Sequence, residues 1–216
     1  MKIKSPAGKI ILKLSILTAV IYNIWPLGYW LDPSALNDNY LSVLEVYSKP
    51  YAWVFILGDA LTATVVIIIG LRLLKLIQPP RKRSALIGYL VFGVATLFEA
   101  TTPISNRCDE SISACGISPV QIFSIHDLAS IIAALGLFYA LYKSLAYFKA
   151  RGKETAKSCL ARCLNYTFWI WSISGLFLIA SVGLNRATLI SQALFIMACG
   201  LALIMLPLAM LQLTEP

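Results

Sequence analysis

The chain has 216 residues, 59% of them hydrophobic and 13% charged, with a formal net charge of +8. Soluble domains carry about 25% charged residues, so at a mean hydropathy of +0.78 too little polar side chain remains to cover a solvated surface. Disorder, which needs low hydrophobicity and high net charge, is excluded too, and the length fits one domain over residues 1–216.

A bilayer core takes about 20 apolar residues per helix. Six such runs follow one another, at roughly 9–31, 50–77, 84–102, 120–145, 164–184 and 187–211. They are rich in Leu, Ile and Ala and show no period-two alternation. That argues for helices rather than barrel strands, which are only about 10 residues long. The predicted fold class is therefore all-α, a polytopic bundle of six transmembrane helices. The first run opens on Met-Lys-Ile-Lys, as a signal peptide does. It is long, however, contains Trp25, Pro26 and Trp30, and lacks a small-residue cleavage site, so it reads as a retained span.

The connections differ in character. The first, roughly 32–49, is acidic and rich in Asn. Within it Ser42-Val-Leu-Glu45 fits a capping box, and Tyr40, Leu41, Leu44 and Tyr47 would share one helix face. A short amphipathic helix at the interface and a plain interfacial loop both fit. The segment from Thr102 to Pro119 holds Cys108 and Cys115, too far apart for the Cys-x-x-Cys of thiol oxidoreductases. A structural disulfide is expected there, in an oxidising compartment. Cys159 and Cys163 lie four apart before span five and are expected to be reduced. Two thiols without further ligands do not make a zinc site. Asn165-Tyr166-Thr167 matches a glycosylation sequon but falls at the edge of span five on the side expected to be cytoplasmic.

Orientation follows from Lys and Arg. Fifteen of the 18 basic residues precede or open span one or lie at the turns between spans two and three and between four and five; Lys49, Arg107 and Arg186 are the others. This predicts cytoplasmic N- and C-termini in a multi-pass plasma-membrane protein, with the Cys108–Cys115 loop outside. Short basic loops flanking spans are topology determinants, so nucleic acid is not an expected partner. Membrane lipids are, and self-association is compatible with the chain.

Four ionisable residues fall within the predicted helices: Asp59, Glu99, His126 and Asp127. Such groups are costly at membrane depth and face the bundle interior. At about 1.5 Å per residue, Asp59 lies roughly 14 Å inward from Pro50 and His126 roughly 9 Å inward from Val120. Glu99 is near the same end of span three. Three spans thus place acid or imidazole at one level, predicting an outward-facing polar pocket formed by Asp59, Glu99, His126 and Ser130. His126 and Ser130 are four apart and share a face. Thr62 and Thr96 flank the acids, and Ala95, Gly88, Ala133 and Ala134 permit close helix approach. A polar clamp that only holds the helices together fits the same residues.

Pro50-Tyr-Ala-Trp-Val-Phe-Ile-Leu-Gly-Asp59 opens span two, Leu97-Phe-Glu-Ala-Thr-Thr-Pro103 closes span three, and His126-Asp-Leu-Ala-Ser130 lies on span four. This order resembles the bacterial membrane proteins of domain-of-unknown-function family 998, over roughly residues 25–145 and more loosely beyond. The resemblance implies six spans, a proline ending span three and a His-x-x-x-Ser on span four. Family members often carry an acid just after that proline, where this chain has Ile104, Ser105 and Asn106. No activity comes with the resemblance.

Two readings compete. The first is a non-enzymatic membrane protein whose pocket takes an ion, lipid headgroup or small molecule, in transport or as a membrane-stress accessory. The second is an intramembrane lipid hydrolase with His126 as base, Ser130 as nucleophile and Asp127, Asp59 or Glu99 orienting the base. The residues favour the first. Redox chemistry at Cys108 and Cys115 has the wrong spacing. With one histidine in the chain, catalytic zinc and bis-histidine haem are disfavoured, and neither metal nor cofactor is expected.

Overall fold

The computed structural model of the chain describes residues 6–31, 44–45, 49, 51–77, 83–102, 125–151, 158–184 and 188–214. Cys108 and Cys115 lie outside the described residues, as do Tyr40, Leu41, Ser42 and Tyr47.

The described elements are helical: α1 (Pro6–Tyr22), α2 (Pro26–Leu31), α3 (Ala52–Leu76), α4 (Ser84–Thr101), α5 (Ile125–Ala150), α6 (Cys159–Leu184) and α7 (Thr188–Thr214). With α1 and α2 taken together, six helical segments are long and apolar enough to cross a membrane. The first is broken at Asn23–Trp25. Pro26 cannot donate to the preceding turn and restricts the residue before it, so it opens α2 at the position that tolerates it. Short backbone bonds close the gap, from the Asn23 amide to the Val20 carbonyl at 3.1 Å and from the Leu27 amide to Ile24 at 2.9 Å. The Asn23 side-chain amide donates to the Ala19 carbonyl at 2.9 Å.

The helix of the fourth span is described from Ile125 to Ala150, five residues beyond the expected end at 145. Val120 to Ser124, where the expected span begins, lie outside the described residues.

α7 is the central helix. It packs against α1, α3, α4, α5 and α6, with Ala202, Leu203, Leu206, Ala209 and Met210 fully buried. The closest approach is between α4 and α5. A Cβ on Gly88 would stand 2.5 Å from the Gly136 carbonyl oxygen, and one on Gly136 would stand 2.9 Å from the Phe92 nitrogen. The two backbones touch there, as small residues permit in membranes. The outer faces carry large apolar side chains, among them Leu135, Ile173, Leu176, Ile179 and Leu184. The buried polar residues are mostly Ser and Thr. Several satisfy themselves within their own helix, as Ser15 does on Ile11 (2.8 Å), Thr18 on Leu14 (2.7 Å) and Thr167 on Cys163 (2.9 Å). Such back-bonding lets a hydroxyl be buried without an interhelical partner.

A second, smaller apolar cluster sits at one end of the bundle. Leu44, 2% exposed, packs with Phe55, Trp25 and Tyr51 from the first two spans and Leu189 and Ile196 from α7. Gly28 makes room for it, since a Cβ there would lie 2.6 Å from the Leu44 methyls. Leu44 and Glu45 form a 3₁₀ turn.

Candidate functional site

The helices alternate in direction, so the end of α2, the start of α3, the end of α4 and the starts of α5 and α7 meet at one end of the bundle. The described acids, Glu45, Asp59, Glu99 and Asp127, belong to that end. Among the described Lys and Arg, Lys49 alone lies with them.

Just inside that end is a partly enclosed cavity of ≈ 160 Å³ to which every span contributes. Tyr22 and Trp25 line it from the break in the first span, Glu45 from the 3₁₀ turn, and Asp59 from the second turn of α3. Glu99 comes from the last turn of α4, His126 and Ser130 from the first turns of α5, Leu178 from α6, and Gln192 and Cys199 from α7. The broken helix has a reason to be here, because irregular backbone at membrane depth is tolerated where it lines a cavity.

Two polar groupings face this space. In one, the carboxyls of Glu45 and Asp59 share a hydrogen bond, which requires a proton on one of them. Burial pushes Glu45 above its ordinary value of 4.5, while the positive influence of His126 and the bond from Asp59 pull the other way. In the other grouping, the Ser130 hydroxyl donates to Glu99 Oε1 and also lies 3.1 Å from the His126 carbonyl oxygen. The His126 ring is 8% exposed, and its Nε2 stands 3.6 Å from Glu99 Oε1.

The end of α4 orients the imidazole. Its last carbonyls have no partner within the helix. The Thr102 hydroxyl serves those of Phe98 and Glu99, both at 3.1 Å. His126 Nδ1 lies 3.1 Å from the Thr102 carbonyl oxygen. A carbonyl only accepts, so Nδ1 carries the proton. Nε2 is thereby turned toward Glu99 and the cavity.

Asp59, Glu99, His126 and Ser130 thus line one cavity. Asp127 does not; it is exposed in the first turn of α5, where an acid complements the helix dipole. As a candidate catalytic residue it is displaced from the others because one helical position turns a side chain by about 100°. The Ser130 hydroxyl is engaged by the carboxylate and the main chain, not by the imidazole, so the nucleophile–base contact of a hydrolase is not formed. Sequence reasoning placed Glu45 in a capping box and overlooked its part in the cavity. It also overlooked Gln192, whose amide four residues into α7 was a legible signal at the same level. Tyr22, Trp25 and Cys199 carry no sequence signal that sets them apart from ordinary span residues.

Cys159 and Cys163, at the opposite end, are exposed free thiols on α6, and Cys199 is a buried free thiol. Among the described residues, no three His, Cys, Asp or Glu side chains converge closely enough to hold a metal ion.

No curated protein and no solved structure matches the chain. A family model described as "Protein of unknown function (DUF998)" matches residues 15–209. That match takes in spans two to five whole, most of the first and last, and every residue lining the cavity, and the chain belongs to this family.

Proposed function

We propose that this integral membrane protein acts without covalent chemistry, binding an ion, a lipid headgroup or a small molecule in the cavity at the acidic end of its bundle. One observation carries the reading: Glu45, Asp59, Glu99, His126 and Ser130, from four separate parts of the chain, line a single space. Ionisable groups at membrane depth serve ligand or ion paths far more often than packing, and a clamp alone would leave no room between them. The concentration of Lys and Arg at the other end supports a plasma-membrane orientation with both termini cytoplasmic and the cavity facing outward. A carrier or a membrane-stress accessory role follows from such a site.

The test is ligand-dependent stabilisation of the purified protein. Its thermal midpoint is followed against a panel of inorganic ions, headgroup fragments and small polar molecules, for wild type and for Asp59→Asn and His126→Ala. A saturable rise in wild type that is lost in both variants, with all three proteins monodisperse, supports the reading. If no member of the panel moves the wild-type midpoint, the reading fails.

A further inference from the structure

Resting on that reading, the geometry points to a particular ligand class: a small organic ammonium bearing N–H groups, of the ethanolamine type. The polar lining is rich in acceptors. It presents the carboxyls of Glu45, Asp59 and Glu99 to one partly enclosed space, beside His126. That imidazole is more than nine-tenths buried and pairs with Glu99, Nε2 to Oε1 at 3.6 Å. Three carboxyls facing one imidazole leave acceptors in excess, which call for donors from the ligand. Five aromatic side chains, Tyr22, Trp25, Phe55, Phe92 and Phe195, line the same space among aliphatic ones. Carboxylates with aromatic rings are the surroundings in which ammonium groups are held, through charge-assisted hydrogen bonds and attraction to ring faces.

Size and donor geometry narrow the class. A protein cavity of about 150 Å³ accommodates benzene, so ≈ 160 Å³ suits a cation of about six non-hydrogen atoms. A bare metal ion would need ligands converging on a point, and among the described residues they do not. A quaternary ammonium would satisfy the rings but leave the carboxyls without donors. A primary ammonium satisfies both.

Such a group reaches the site either as a free amine or as the headgroup of an aminophospholipid, and the experiment separates these sources. The full chain is reconstituted in nanodiscs of phosphatidylglycerol alone, and its thermal midpoint is measured with ethanolamine, tetramethylammonium, ethylene glycol, sodium chloride and glycerol phosphate. Ethanolamine is expected to raise the midpoint saturably, tetramethylammonium to act at least about tenfold more weakly, and neutral ethylene glycol not at all. Asp59→Asn and Glu99→Gln should each weaken the ethanolamine effect by about tenfold or more, each read against its own ligand-free midpoint, so that a general loss of stability does not count. A second set of nanodiscs containing phosphatidylethanolamine assigns the source: stabilisation there that exceeds that by free ethanolamine means the headgroup, the reverse means the free amine. A saturable response to glycerol phosphate or sodium alone, abolished by Asp59→Asn, overturns the ammonium class while leaving a binding cavity. Equal responses to ethanolamine and ethylene glycol also overturn it. No response to any probe overturns both.

Discussion

Glu45 enters the cavity from the turn outside the spans, and its surroundings set a direction for pH. Burial raises its pKa above 4.5, with His126 and Asp59 only partly offsetting. The folded state therefore holds a proton at pH values where the unfolded chain has released it. Stability contributed this way is present at low pH and is lost as pH rises through the folded-state value. Glu45→Gln should flatten the dependence: its thermal midpoint should exceed that of wild type at pH 8 and match it near pH 4.5. A variant that falls below wild type at pH 8 would show that the ionised form stabilises the fold. Ser130→Ala removes the hydroxyl that Glu99 accepts from. It should cost about 1 kcal/mol, the usual range for such a bond in a membrane helix bundle, measured by reversible unfolding in mixed micelles. Asp59, Glu99 and His126 stood out in the sequence because an acid or imidazole inside an apolar run has few reasons to be there, and Ser130 followed from its spacing of four from His126. Glu45 was less so. Its run of neighbours matches a helix-start signal, and its approach to Asp59 depends on Leu44 being seated beside Gly28, a contact no spacing rule encodes.

The contact between α4 and α5 is what brings Glu99 to Ser130 and His126. At Gly88 and Gly136 there is no space for a methyl group, and the neighbouring atoms are backbone, which cannot turn aside. Gly136→Val should destabilise the protein by about 3 kcal/mol, at the upper end for overpacking. Gly183 is the control: nothing lies within 4 Å of a Cβ there, and Gly183→Ala should be neutral or slightly stabilising. Equal loss in the two variants, by thermal unfolding, would refute close packing at the α4–α5 crossing. The number and type of elements were legible because a run of about 20 apolar residues has one use. Their ends were less so. Span four runs five residues past its expected end because Ala146 to Ala150 holds no breaker, whereas Ser84 after the basic cluster fixed the start of α4. The break in the first span was carried by Pro26, and Trp25 lines the cavity because of it.

At the scale of the whole molecule the charges separate along the bundle axis. The exposed thiols Cys159 and Cys163 lie at the basic end, which the orientation proposed above puts inside the cell. A membrane-impermeant maleimide should leave them unlabelled in intact cells and label them after lysis. Labelling in intact cells would invert the topology. On that proposed orientation the net charge of +8 is mostly a record of threading.

The cluster around Leu44 and Phe55 is separate from the main core built on α7. It has few members, rests on a single inserted leucine, and closes over the cavity end. Cooperative units of this size open at lower free energy than the domain that bears them. Amide hydrogen exchange should thus show residues 26–31 and the first turn of α3 exchanging together, well ahead of α4, α5 and α7. Leu44→Ala should quicken that exchange without changing the rate in the central helices. The bundle would then carry a door that can swing while its frame stands, and the rate of that opening would cap how fast anything reaches or leaves the acids behind it.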